Sequence, residues 1–242
     1  FGVAVGAGDD GTWERLRALN EPKLRLLPTQ WNEQCRSHGF VYAQQKMIAQ
    51  YNCTGDWAFY LEGDEVLHER DLERLRRAME HYLGDEEVEV LAFDYFHFYG
   101  DARHLHVSSQ AYRRAARVIR NRLRSIAPDG LYWAVIRDRS WHGGRNKRRT
   151  RYPRAAALNI PIYHYGNARD PRFLQIKAAT GNQYWAKNVF YGTYGDIDPE
   201  QIGTFEGSHP AVMDAWLRTH ASPGFAFSPQ HRLTRRERKH RL

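Results

Sequence analysis

The sequence is poor in cysteine and lacks long apolar runs and the short motifs of hydrolases. Its two cysteines, Cys35 and Cys53, argue against a disulfide scaffold and a cysteine-based zinc site, and they fit a reducing cytoplasm. No run of about 18 apolar residues occurs, so no transmembrane helix is predicted. The patterns Gly-x-Ser-x-Gly, His-Glu-x-x-His and Cys-x-x-Cys are also absent. Serine-hydrolase and zinc-protease chemistry therefore has no local support.

The composition predicts a folded, basic protein. The chain has 242 residues, of which 42% are hydrophobic, and a formal net charge of +8. Phosphorylated substrates, nucleic acid and anionic membrane surfaces are therefore plausible partners. Basic residues crowd into 113–124, 145–154 and 232–241. The last of these segments lacks an apolar periodicity, so we expect one domain over 1–220 and a frayed basic tail over 221–242.

Strand and helix patterns alternate in the first half of the chain, which predicts an α/β fold with parallel strands. The second half is more irregular and predicts a smaller antiparallel or loop-rich part. Strands are predicted at 3–5, 24–27, 57–61, 88–98, 116–119 and 159–163. Helices are predicted at 13–19, 41–51, 72–83, 170–189 and 210–217, and the fourth of these is expected to be interrupted or to end near Gly181.

The most informative segment is the apolar run 57–61, which ends in Glu62, Asp64 and Glu65. Clustered carboxylates at the end of a buried strand need a cation or a hydrogen-bond network to balance them. On an extended chain Glu62 and Asp64 would lie on one side and Glu65 on the other. Oxygen ligands on one side suit Mg²⁺ or Mn²⁺. The alternative is that Glu65 caps the next helix while the other two are solvated.

His164 follows a second apolar run, 160–163. A histidine at this place can be a metal ligand, an acid/base group or a satisfied structural residue. The turn 6–12 carries Asp9 and Asp10, which could contact a ribose or base. That turn could equally be a tight turn that caps a helix, since it lacks the Walker lysine and the dinucleotide spacing.

A basic, glycine-containing stretch covers 142–151 and includes Arg145 and Arg148. Such a loop could close over a diphosphate and stabilise charge on a leaving group. It could also be a solvated loop or a nucleic-acid contact. The same alternatives apply to the arginines of 113–124.

Five features follow one another along roughly 1–170: a strand, a Gly-x-Asp-Gly-Thr turn, a helix, Gly-Asp-Trp-Ala-Phe-Tyr-Leu-Glu-Gly-Asp-Glu at 55–65 and a late His-Tyr-Gly. In this order they resemble the family 2 (GT-A type) glycosyltransferases. The resemblance implies a three-layer α/β/α fold with a mostly parallel central sheet and a smaller irregular or antiparallel part. It also implies that the family's first strand would lie before Phe1. By the same resemblance, Glu62 and Asp64 occupy the metal-binding positions, His164 completes the site for Mn²⁺ or Mg²⁺, and 5–12 lines the nucleoside pocket.

The implied activity is a hexosyltransferase-like, metal-dependent and inverting transfer from a nucleotide-diphosphate sugar to an acceptor hydroxyl. Asp9, Asp10, Glu62, Arg145 and Arg148 are then the donor-binding candidates. Two further residues, Asp129 and Asp138, are the candidates for the general base by their order along the chain.

Two other readings remain open: a basic nucleic-acid-binding protein with a structural acidic cluster, and a GT-A-like protein that has lost catalysis. An acidic cluster repels phosphate unless a metal intervenes, so the enzyme is favoured over nucleic-acid binding. The acceptor could be a saccharide, a lipid-linked molecule or a protein. The expected location is the cytoplasm, where the basic surface allows peripheral contact with the inner face of the membrane.

Overall fold

A computed structural model describes residues 1–108, 111–137, 150–185 and 193–241. Its strands are β1 Gly2–Gly6, β2 Arg25–Thr29, β3 Trp57–Phe59, β4 Glu65–Leu67, β5 Val90–Tyr99, β6 His104–His106, β7 Arg114–Arg120, β8 Ser125–Ile126, β9 Ala134–Ile136, β10 Thr150–Arg151, β11 Ala155–Asn167 and β12 Ile202–Thr204. Its α-helices are α1 Thr12–Ala18, α2 Phe40–Tyr51, α3 Leu72–Leu83, α4 Pro171–Trp185, α5 Asp214–Thr219 and α6 Arg235–His240.

The two longest strands, β5 and β11, form the centre of a seven-stranded sheet. The order is β12-β6-β5-β11-β4, and β7 pairs with both β5 and β3. Apolar side chains of these strands, including Leu91, Phe93 and Ile162, form the main core with Leu75 of α3. The chain is therefore a mixed α/β protein, as its sequence pattern predicts.

The expectation of a mostly parallel central sheet is wrong for the described strands. Within the seven-stranded sheet, β5 and β11 pair in parallel, whereas the other pairings that the structure describes are antiparallel. Short connections explain the antiparallel pairings of β5 with β6 and β7, because these three strands follow one another too closely for a parallel crossover. A separate parallel pair, β1 and β2, carries the βαβ pattern of the first residues. The strands β8, β9 and β10 form a small antiparallel sheet.

The predicted elements recur with shifted ends. The strand expected at 57–61 stops at Phe59. The interruption expected near Gly181 is wrong, because α4 continues through this residue and is described as far as Trp185. No helix within the described ranges is both long and apolar enough to cross a membrane.

The C-terminal segment is not frayed over the residues that the structure describes. Thr234 and Glu237 form a capping box at the start of α6. The Glu237 carboxylate also accepts the backbone N–H of Asp198 at 3.0 Å, and the guanidinium of Arg241 donates to the buried Asp198 carboxylate. These contacts order the segment despite its charge, because Arg241 pairs with the carboxylates of Asp198 and Glu200.

Replacing Glu237 with alanine should lower the free energy of unfolding by about 1–3 kcal/mol, because it removes the cap and leaves buried donors unpaired. Urea unfolding and limited proteolysis of the C-terminal segment would measure the effect. Lys239→Ala, an exposed change on the same helix, is the control and should be neutral. Equal protease sensitivity of the two variants would show that α6 is not held in this way.

Candidate functional site

The acidic segment lies in a tight turn between β3 and β4. The backbone N–H of Glu65 donates to the carbonyl of Glu62 at 3.0 Å. Strand β4 then runs antiparallel to β11 and places Glu65 opposite His164. Next to this pair, the N–H of Tyr165 donates to the carbonyl of Asp64 at 2.9 Å. The turn and the end of β11, about 100 residues apart in sequence, are thus joined by backbone hydrogen bonds.

Glu62 and Glu65 share one buried arginine, Arg117 of β7. Its Nε donates to Glu65 Oε2 at 2.8 Å and its Nη2 to Glu62 Oε1 at 3.3 Å. Arg117 Nη2 and the Tyr95 hydroxyl both donate to Glu65 Oε1. Glu65 is therefore neither a helix cap nor a solvated residue, and α3 starts later, after the turn Glu69–Asp71.

The predicted grouping of Glu62 with Asp64 is also wrong. Alternation of side chains holds for an extended chain, and here the four residues form a turn, so Glu62 and Glu65 meet the same guanidinium. Asp64 has different partners, which come from β11 and α4.

Asp64 lies between His164 and Lys177. Its Oδ2 is 3.5 Å from His164 Nε2 and 3.2 Å from Lys177 Nζ, and Lys177 Nζ also donates to the carbonyl of Gly166 at 3.3 Å. A Cβ at Gly166 would lie 2.3 Å from Asp64 Oδ2, 2.5 Å from Lys177 Nζ and 2.7 Å from His164 Nε2. The three side chains therefore converge on Gly166, where the Cβ of any other residue would clash with all of them. We call Asp64, His164, Gly166 and Lys177 the Asp64 cluster.

The two carboxylates at the ends of the turn differ in their proton affinity. Burial acts to raise the pKa of Asp64, but the hydrogen bond and charge of His164 and the charge of Lys177 outweigh it and hold that pKa well below its usual range. Burial and the neighbouring Glu65 raise the pKa of Glu62, against the opposing charge of Arg117. Asp64 is thus the firmly ionised member of the two.

The predicted metal ligands Glu62, Asp64 and His164 do not fit a divalent ion as they are placed. Glu62 is ion-paired with Arg117, and the Lys177 ammonium lies against the Asp64 oxygen that a metal would need. No three His, Cys, Asp or Glu side chains in the described ranges are arranged to hold a metal ion. The cationic side chains already balance the carboxylates that the sequence assigned to Mg²⁺ or Mn²⁺.

Two cavities lie at the carboxyl ends of the parallel strands β1 and β2. One, of about 390 Å³, is lined by Ala7, Gln30, Trp31, Glu33 and Tyr184. The other, of about 420 Å³, shares Ala7 and Gln30 with the first. Both volumes fall in the range of small-molecule sites, and the strand ends of α/β sheets are where such ligands bind.

Aromatic rings form one wall of the first cavity. Trp31 packs edge-on against Tyr42 and Tyr184, with ring centroids 5.4 Å apart in both pairs. The Tyr184 hydroxyl donates to the Glu33 carboxylate at 2.9 Å. A Cβ at Gly6 would come within 2.5 Å of Trp31 Nε1. Any residue with a side chain at position 6 would therefore displace the indole of Trp31.

Helix α4 connects this cavity to the Asp64 cluster. Lys177 and Tyr184 are seven positions apart on one unbroken helix. That separation is two turns, so the two side chains share a face and lie about 10 Å apart along the axis. The cavity and the cluster are therefore neighbours along a single helix face.

The other predicted residues are distributed as follows. Asp9 is exposed, while Asp10 accepts the N–H of Thr12 at 3.0 Å and closes the turn before α1. Asp138, Arg145 and Arg148 lie outside the described residues.

Asp129 lies in a turn close to the site. Its Oδ1 accepts the N–H of Leu131 at 2.7 Å, and the Leu131 carbonyl accepts from Arg117 at 3.4 Å. The next residue, Gly130, abuts Tyr42 so closely that a Cβ would lie 2.8 Å from it. The turn thus contacts both Arg117 and Tyr42, and the Tyr42 ring packs against Trp31 in the wall of the first cavity.

Sequence reasoning did not single out Lys46 or Lys177, and it grouped Arg117 with the arginines of 113–124 as a diphosphate, solvated or nucleic-acid contact, whereas Arg117 is buried. Arg117 interrupts the apolar stretch 115–119, and that interruption could have indicated a buried ion pair. Lys46 is 1% exposed, and its Nζ lies 3.8 Å from the Trp133 ring centre and 4.6 Å from that of Tyr60. Lys177 lies in a helix whose pattern gives no indication of its contact with Asp64.

No family model matches the chain, and a search of the curated proteins finds no match.

Proposed function

We propose that this protein is a glycosyltransferase of GT-A type, which moves a sugar from a nucleotide-diphosphate sugar to an acceptor hydroxyl with inversion. The observation that carries the proposal is the shared face of α4. Tyr184 lines a cavity with aromatic walls, and Lys177 two turns earlier presents a cation beside Asp64. An aromatic pocket suits a nucleoside, and a nearby ammonium suits its phosphates.

The reaction requires a leaving group, a nucleophile and a base. The bond between the anomeric carbon and the diphosphate oxygen breaks, and the electron pair leaves on the nucleoside diphosphate. The acceptor hydroxyl oxygen bonds to the anomeric carbon, and its proton passes to a carboxylate. Asp129 is the described candidate for that carboxylate, because its turn borders the site.

The placement of the basic residues favours the enzyme over nucleic-acid binding. Arg117 is buried, Arg114 pairs with Asp94 at 2.9 Å, and Arg122 pairs with Glu86 at 3.1 Å. A guanidinium already paired with a carboxylate is less available to neutralise a phosphate backbone. This applies most of all to the buried Arg117, because Arg114 and Arg122 form their pairs at the surface.

The test is a thermal-shift panel of UDP-, GDP- and TDP-sugars, each with EDTA and with Mn²⁺. At least one donor should raise the melting temperature, since a ligand that binds only the folded state stabilises it. Ala7→Phe, which fills the shared edge of the two cavities, should abolish that shift. Ala18→Phe, on exposed α1, is the matched control and should keep it.

Two results would contradict the proposal. One is the lack of stabilisation by any donor under either condition. The other is salt-sensitive binding of RNA or DNA with no effect of Ala7→Phe, which would favour the nucleic-acid-binding alternative.

A further inference from the structure

A carboxylate beside a bound diphosphate needs a compensating positive charge. Asp64 is a carboxylate, and the donor brings further negative charge to the same place. In the structure the compensating group next to Asp64 is the Lys177 ammonium, 3.2 Å from Oδ2. The charge balance expected from a metal is thus available from a residue of the chain itself.

The geometry leaves the ammonium able to contact a ligand. An ammonium has three N–H donors, and the described contacts of Lys177 use two, to Asp64 and the Gly166 carbonyl. Its side chain is 49% exposed. Asp64 and Gly166 therefore fix the position of the cation, and its third donor has no partner among the described contacts.

A histidine contacts the same oxygen of Asp64. His164 Nε2 lies 3.5 Å from the same oxygen, whereas His164 Nδ1 is buried without a hydrogen-bond partner. A metal at this oxygen would need to displace Lys177 and to recruit a further ligand, while Glu62 is held by Arg117.

We propose that Lys177 binds the diphosphate of the donor in place of a divalent metal, so that donor binding is independent of metal ions. This inference rests on the proposed function. Lys177 would donate to a phosphate oxygen and stabilise the charge that develops on the departing nucleoside diphosphate.

The experiment is isothermal titration of UDP, GDP, TDP and uridine into the protein in EDTA and in Mn²⁺. The tightest diphosphate should bind equally well under both conditions. Lys177→Met should weaken the affinity for that diphosphate by about 10- to 100-fold, and Lys177→Arg should recover most of the lost affinity. Uridine, which has no phosphate, should bind the Lys177→Met variant as it binds the wild type.

Gly166→Ala supplies a second variant, because its Cβ would push Asp64 and Lys177 apart. It should weaken the binding of the diphosphate, as Lys177→Met does. The control is Gly181→Ala on α4, the helix that carries Lys177. A Cβ at Gly181 would meet no atom within 4 Å, so this variant should bind normally.

The outcomes separate this inference from the function on which it rests. Binding that disappears in EDTA and returns with Mn²⁺ would overturn the role of Lys177 and leave the glycosyltransferase proposal standing. An unchanged affinity of Lys177→Met for the diphosphate would also overturn the role of Lys177 and leave the glycosyltransferase proposal standing. Failure of all three diphosphates to bind with or without Mn²⁺ would overturn both.

Discussion

Replacing Arg117 with methionine is expected to lower the free energy of unfolding by about 3–5 kcal/mol, the range for losing one member of a buried ion pair. Arg117 is 0% exposed, and its guanidinium donates to Glu65, Glu62, Tyr95 and the Leu131 carbonyl. Methionine fills much of the volume but leaves the fully buried Glu65 carboxylate without its cation. Urea unfolding followed by tryptophan fluorescence would measure the loss.

The variant Arg114→Met is the matched control on the same strand. Arg114 is exposed and pairs with Asp94 near the surface, so its loss should change the free energy of unfolding by less than about 1 kcal/mol. The double variant Arg117→Met, Glu65→Gln should regain part of the stability, because it removes the uncompensated charge. A loss below 1 kcal/mol in Arg117→Met would contradict the buried network.

Lys46 should make the stability of the protein depend on pH. Burial and the charge of Arg117 lower the pKa of Lys46 to about 7, against the opposing effect of Glu62. Between pH 7 and about 10 the unfolded chain keeps this proton and the folded chain does not. The free energy of unfolding therefore rises with pH in this window, by up to about 1.4 kcal/mol per pH unit from this group.

The comparison of wild type with Lys46→Met isolates that contribution. The wild type should gain stability relative to Lys46→Met as the pH rises from 7 to 10, and the difference should be constant below pH 6. Lys239→Met, an exposed change, should show no such dependence. A pH-independent difference between wild type and Lys46→Met would show that the buried ammonium keeps its ordinary pKa.

Much of the element pattern could be predicted from local sequence. The helix α3, for example, follows from the spacing of Leu72, Leu75 and Met79. Strand direction could not, because it depends on which strands become neighbours, and the short links after β5 produce antiparallel pairs.

The site was predicted only in part, for physical reasons. The sequence placed the acidic segment and His164 at strand ends, and in the structure Asp64 and His164 are in contact. The partners of the carboxylates depend on the turn at Glu62–Glu65 and on α4, which lies more than 100 residues later. Spacing along the chain carries no information about such contacts, so Arg117 and Lys177 were not assigned.

The most direct test of the account is a crystal structure of the protein with the nucleoside diphosphate that stabilises it most. We expect the base to lie against Trp31 and Tyr184 and a phosphate oxygen to lie within hydrogen-bond distance of Lys177 Nζ. A nucleotide bound away from α4, for instance on the basic face of α6, would contradict it. So would a site left empty at millimolar nucleotide.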